Sequence, residues 1–308
     1  MDKFLEMEIE GHRLAAILTH SGNSGTPVVF LHGIAGSIYF WTPDLTSPFH
    51  DLGPCYSLSL PGHFPATFPK DFPAACLTPE LIAGLVSSGI QKIAGNKRVL
   101  LVGHSTGGFA ALTTAIYHPE VVAGIVSIAG FSRGQWTGAL GLNQWLVRQG
   151  PIGCSIFKSI YRLGGYPALY RLFWDVYVHD HISLLKHPHF GMVIKMTFPY
   201  LQKLDLDAMA GYFKVMPQTD ITPCLSGITV PACVIAGDRD PIVPPKQSSI
   251  IAENVSNSKL VIIKGAGHLP FFERPVEYER AIDSWLTEFQ SRARVSLHQP
   301  LCDGLARK

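Results

Sequence analysis

Residues 100–108 read Leu-Leu-Val-Gly-His-Ser-Thr-Gly-Gly and set Ser105 in a G-x-S-x-G frame at the end of an apolar run. A serine hydroxyl is a weak nucleophile at neutral pH. It attacks an acyl carbon only when a base takes its proton and a third group orients that base. The spacing carries the chemistry: a sharp turn from strand into helix leaves no room for side chains beside the nucleophile, hence glycine at 103 and 107. Such a turn holds the serine in a strained backbone state with its hydroxyl projecting, and the free N–H groups opening the next helix favour developing negative charge. The pattern therefore points to acyl transfer through Ser105. His104, within the same frame, reads as a packing residue beneath the turn.

Elements must hold that serine in place. Short apolar runs of strand type recur at Leu14–Leu18, Val28–Leu31, Tyr56–Leu60, Val99–Val102, Ile125–Ile128, Cys233–Ala236 and Leu260–Ile263. Several are continuous rather than alternating, which is the pattern of strands covered on both faces in a mostly parallel sheet. Helical stretches separate them. One opens at Thr78-Pro79-Glu80, with Thr78 as N-cap and proline at the first helical position. Another runs from about Gly107 to His118 before Pro119, and a third follows Pro275 through Trp285 to Phe289. The alternation predicts an α/β fold with helices flanking the sheet. From Phe131 to Leu225 it lapses into aromatic-rich, helix-compatible sequence, which predicts an inserted helical cap between core segments 1–130 and 226–290. Both ends of that insertion would emerge at one rim of the sheet, placing it to roof a site there. Residues 291–308 carry no sustained pattern and are expected to form a mobile tail.

On Gly103 to Gly107, together with Leu31-His32-Gly33-Ile34 after an early strand and Leu60-Pro61-Gly62-His63 after the next, the chain resembles the α/β-hydrolase superfamily. The resemblance covers about residues 10 to 290 apart from the insertion. It implies an eight-stranded, mostly parallel sheet and a serine, acid, histidine triad in that chain order.

Of thirteen histidines, His268 stands out because Gly265-Ala266-Gly267-His268 follows the last strand on a glycine-rich loop, ahead of Phe272-Glu273-Arg274-Pro275. This matches the position of the family's base. Glu273 reads as a helix-start or salt-bridge residue. After the strand at Cys233–Ala236, Gly237-Asp238-Arg239-Asp240-Pro241 offers two carboxylates, of which one can face the histidine. The resembling families place their acid three residues after the glycine, which selects Asp240. The oxyanion donors would be the backbone N–H of Thr106 and, by family equivalence, that of Ile34. Trp41, Phe131, Trp136 and Leu269 are the candidate substrate-pocket residues.

The rest of the sequence narrows the class. A chain of 308 residues with 47% hydrophobic and 16% charged content buries a substantial core, and a net charge of +2 offers no field for nucleic acid. A small hydrophobic molecule is the expected partner. Six scattered cysteines show neither zinc nor disulfide spacing, and no G-x-G-x-x-G or G-x-x-x-x-G-K-S/T follows a strand, so neither metal nor cofactor is expected. The acidic opening run lacks the form of a secretory signal, and no apolar window is long enough to span a membrane, which predicts a cytoplasmic protein. Between Arg133 and Lys195, seven basic residues face two acids, suggesting an anionic substrate group or contact of the cap with an anionic membrane surface or acyl carrier. The leading expectation is a serine hydrolase of esters, thioesters or lactones. A carbon–carbon bond hydrolase of ring-cleavage type, or a ligand-sensing protein on the same fold, are the alternatives.

Overall fold

The computed structural model describes residues 3–298, with side chains through residue 292. Eight strands form one sheet: β1 Phe4–Ile9, β2 His12–His20, β3 Val28–Leu31, β4 Cys55–Leu58, β5 Val99–His104, β6 Val122–Ile128, β7 Ala232–Gly237 and β8 Ser258–Ile263. Their spatial order is β1-β2-β4-β3-β5-β6-β7-β8. The β1–β2 and β2–β4 pairs are antiparallel and the others parallel. Continuous apolar runs make sense here because side chains alternate between two covered faces. Val29, Leu31, Val99 and Leu101 pack on one side with Ile82, Leu85 and Phe109. Val28, Phe30, Leu100 and Val102 pack on the other with Phe49, Ile282 and Trp285.

The strand absent from the sequence reading is β1. Its Leu5, Met7 and Ile9 turn inward while Phe4, Glu6 and Glu8 face water, the charged alternation of a sheet edge. It returns into β2 through Glu10 and Gly11, both at positive φ, a two-residue hairpin loop whose backbone suits strand twist. The helix Pro79–Ala94 begins as expected, with Thr78 Oγ1 accepting the Leu81 N–H at 3.2 Å.

Between β6 and β7 the described chain forms helices Gly138–Val147, Gly150–Gly164, Pro167–Asp175, His181–Lys186, Phe190–Leu201 and Leu206–Val215. The two ends of this insertion are tied together by the Arg133–Asp220 bridge at 3.1 Å, and its start is tied to the core by Gln247 of the helix Lys246–Asn254, whose Oε1 accepts the Ser132 and Arg133 amides. The C-terminal helix runs from Pro275 to His298, so the first part of the expected tail at 291–308 is helical and the rest of it is not described. Residues 299–308, Cys302 among them, lie outside the described residues. No described helix is long and apolar enough to cross a membrane.

The loops that follow β3, β5, β7 and β8 all leave the carboxyl ends of parallel strands, the end of an open α/β sheet where ligands bind. Those four loops carry Ile34, Ser105, Asp240 and His268.

Candidate active site

Ser105 connects β5 to the helix Thr106–Tyr117 with φ 54° and ψ −116°, and its amide donates to the Ile128 carbonyl at 2.8 Å. A positive φ on a residue bearing a Cβ is strained, and the close packing around the turn is what imposes it. A Cβ at position 103 would collide with the Gly107 carbonyl, and one at 107 with the Leu31 carbonyl. Thr106 is the first helical residue, so its N–H has no partner within the helix.

The candidate base and acid meet directly. His268 Nδ1–H donates to Asp240 Oδ2 at 2.7 Å, with both side chains essentially sealed from solvent. Asp240 Oδ1 accepts the amides of Ile242 at 2.8 Å and Val243 at 2.9 Å, so the acid's orientation is set by its own loop. Asp238, the other carboxylate of the segment, instead accepts the Gly265 amide at 2.6 Å and braces the loop that delivers His268. With Nδ1 engaged as donor, Nε2 is the imidazole's acceptor. Among the described residues Nε2 is buried with no hydrogen-bond partner.

Three further buried histidines hold the loops in register. His104 Nε2–H donates to the His268 carbonyl at 3.0 Å, and the two rings lie 4.9 Å apart. The residue read as mere packing thus ties the serine turn to the histidine loop. His32 Nδ1–H donates to the Gly33 carbonyl at 2.8 Å while its Nε2 accepts the Leu60 amide at 3.1 Å, joining the loops after β3 and β4. His63 Nδ1–H donates to the Pro61 carbonyl at 3.0 Å. Burial lowers the His32 pKa to about 4 and pushes those of His63 and His104 well below the ordinary range, so all three are neutral linkers.

The loop after β3 packs on the serine turn: a Cβ at Gly33 would lie 3.1 Å from His104 Nδ1 and 3.3 Å from Ser105 Cβ. Ile34, next along, is buried beside the cavity, and neither its N–H nor that of Thr106 donates within the described loops and turns.

The insertion closes the site from above. The His268 amide donates to the Tyr177 carbonyl at 2.9 Å, and the Tyr177 and His268 rings stack at 5.9 Å. Glu273 sits in the first turn of the short helix Pro270–Glu273, as expected of a helix-start residue, and it also bridges two segments. One of its carboxylate oxygens accepts the amides of Gly267 at 2.9 Å and Leu269 at 3.3 Å; the other accepts those of His179 and Asp180, both at 2.8 Å. A single buried carboxylate therefore clasps the histidine loop to the roof. Arg274 adds a bridge to Asp180 at 2.7 Å. The Ser183 amide and this Arg274 guanidinium hold the Asp180 carboxyl well below its usual pKa.

Beneath the roof lies a cavity bounded below by Gly33, Ile34, Ala35, Gly36, Phe40, His104 and Leu269, and above by Tyr161, Tyr170, Phe173, Trp174, Tyr177, Thr197 and Leu201. It presents no formally charged side chain. Of the four candidate pocket residues it retains Leu269. Trp41 is instead buried against Phe30 and Phe271 under the sheet, Phe131 stacks on Phe109, and Trp136 packs edge-on to Phe131 and Phe213. Those three large aromatics fill core volume. Phe40, Thr197 and Leu201, which no motif marked, face the cavity because of where their loop and helix dock.

A model of the alpha/beta hydrolase family matches residues 28–281. A Pseudomonas syringae pv. syringae (strain B728a) protein named as a carbamate hydrolase, RutD, is 26% identical over 271 residues, 84% of this chain and 93% of that protein. A pimeloyl-acyl-carrier-protein methyl ester esterase of Yersinia pseudotuberculosis serotype IB (strain PB1/+) is 25% identical over 196 residues, 62% of this chain and 70% of its own length. The enol-lactonase of Burkholderia xenovorans LB400 has the same fold, with a TM-score of 0.71 at 18% identity over 92% of this chain and 100% of that one.

Proposed function

The chain belongs to the alpha/beta hydrolase family, and from that premise we propose that it is a serine hydrolase cleaving a carboxylic ester, thioester or lactone with an uncharged, hydrophobic acyl part. The observation that carries the reading is the 2.7 Å bond from His268 Nδ1 to Asp240 Oδ2, which makes Nε2 a proton acceptor at the loop bound to the serine turn. In the proposed reaction His268 Nε2 takes the Ser105 proton as Oγ attacks the acyl carbon. The tetrahedral oxyanion rests on the N–H groups of Ile34 and Thr106, each contributing about 3 kcal/mol to barrier lowering in comparable sites. His268 then protonates the leaving oxygen or sulfur, and a water activated by the same imidazole releases the acid. The names of the relatives, a carbamate hydrolase, a methyl ester esterase and an enol-lactonase, share the cleavage of an acyl carbon from a heteroatom.

The aromatic, uncharged cavity supports a hydrophobic acyl group over an anionic one, because an unpaired carboxylate carried into it would forfeit its hydration. The test is a panel of p-nitrophenyl esters of rising acyl length, with the hemisuccinate as anionic member, run on the wild type and on Ser105→Ala. Turnover should favour the neutral esters and fall about 10⁴- to 10⁶-fold in the variant. Activity persisting in Ser105→Ala would refute the nucleophile assignment.

A further inference from the structure

Eleven of the fifteen exposed large apolar side chains among the described residues fall between Leu142 and Met192, within the insertion. They are not stray. On the helix Gly150–Gly164, Ile152, Ile156 and Leu163 recur on one outward stripe while Phe157 and Tyr161 face the core on the opposite one. Trp145 and Leu172 extend the apolar surface onto neighbouring helices, and Ile152 is 77% exposed. Exposed apolar groups gathered on one surface in this way mark interaction sites.

The charges on the same stretch, from Leu142 to Lys195, are predominantly positive. Between Leu142 and Lys195 there are two carboxylates: Asp180 bridges Arg274 at 2.7 Å, and Asp175 lies 3.4 Å from the His181 imidazole. Arg148, Arg162, Arg171, Lys186 and Lys195 are exposed and make no salt bridge among the described residues. None of these cations lines the cavity, so they do not serve an anionic substrate group inside it. The helices concerned have two working faces. Tyr161, Tyr170 and Thr197 look into the cavity, while Ile156, Arg171 and Lys195, a few residues away on the same helices, look outward.

We propose that the outer face of the insertion docks on an anionic lipid surface, the exposed apolar side chains entering the acyl boundary while the unpaired arginines and lysines meet lipid phosphates and carboxylates. The apolar groups are spread across several helices rather than gathered into one shaped seam. That distribution fits a fluid interface better than a folded protein partner. Docking there would place the cavity roof next to a reservoir of hydrophobic esters.

The experiment is co-sedimentation of the full chain with phosphatidylcholine vesicles, with and without about one third phosphatidylserine, at low and high salt. Binding to the anionic vesicles alone, weakened by salt, is the expected result. The triple variant Arg148→Gln, Arg162→Gln, Arg171→Gln should lower partitioning on the order of 100-fold, at roughly fivefold per charge. Ile152→Ser with Ile156→Ser and Leu163→Ser should lower it at least 10-fold by removing inserted apolar groups. Turnover of a short water-soluble ester should be unchanged in both variants, which separates this inference from the catalytic reading. Absence of vesicle binding, equal binding to neutral vesicles, or capture of a purified acyl carrier protein without vesicle binding would overturn it.

Discussion

The backbone N–H of His268 donates to the carbonyl of Tyr177 at 2.9 Å, so the loop presenting the imidazole is bonded to the insertion that roofs it. Both candidate catalytic side chains are buried, with Ser105 2% exposed and His268 fully buried. The bonds joining the insertion to this loop fix where the imidazole sits.

Glu273 is the strongest of those joints. Glu273→Ala would strand four backbone donors that now share one carboxylate, at about 1–3 kcal/mol for each that stays dry. Urea denaturation should show a loss of at least about 3 kcal/mol, and kcat on a p-nitrophenyl ester should fall as His268 loosens. Glu273→Gln keeps one acceptor oxygen but turns an amino group toward two N–H donors, so it should lie between wild type and alanine. Wild-type stability in Glu273→Ala would show that the carboxylate does not clasp the roof.

Asp240→Asn separates orientation from packing. Asparagine can keep accepting the Ile242 and Val243 amides through one oxygen, leaving the loop intact. Its amino group then faces His268 Nδ1, which favours the tautomer carrying hydrogen on Nε2 and removes the base. The expected result is a kcat loss near 10⁴-fold, as in serine protease triads given the same change, with a thermal midpoint close to wild type. Turnover within tenfold of wild type would mean that Asp240 does not govern the imidazole.

The buried histidines make stability depend on acid. Burial holds the His32 pKa at about 4 against 6.5 for the ordinary side chain, and His63 and His104 are shifted in the same direction. Below pH 6.5 the unfolded chain therefore binds protons that the folded chain refuses, and stability rises with pH through this window. The contribution is complete above pH 6.5 and is lost as the pH falls toward 4. Urea midpoints measured from about pH 7.5 down to about pH 5 should decline with a slope approaching ~1.4 kcal/mol per pH unit for each histidine. A flat profile would contradict the neutral-linker assignment.

What was legible in the sequence followed from how strictly each position is constrained. Gly103 and Gly107 are forced by backbone collisions, and the two-faced burial of β3 and β5 writes itself as unbroken apolar runs, so the serine turn and central strands could be read directly. Edge strand β1 was harder because only alternate residues are buried and its outward face is acidic. The pocket was least legible. Trp136 and Tyr161 are both large insertion aromatics, yet one fills the core and the other lines the cavity, and helix docking rather than residue type decides which. Glu273 and His104 act through backbone groups of distant loops, so their partners leave no local motif.

The packing of the loop after β3 against the serine turn yields the sharpest geometric test. A methyl group at position 33 would sit 3.1 Å from His104 Nδ1 and 3.3 Å from Ser105 Cβ, tighter than ordinary contact on both sides. His104 cannot yield freely because its Nε2–H is committed to the His268 carbonyl, and Ser105 is fixed by its strained turn. The loop itself must shift, carrying the Ile34 N–H away from the proposed oxyanion position. A displacement of even about 1 Å in such a site costs on the order of 10²-fold. Gly33→Ala should therefore lower kcat by roughly 10- to 100-fold while KM changes little, since the donor matters most in the transition state. Wild-type kcat in that variant would place the oxyanion donor elsewhere.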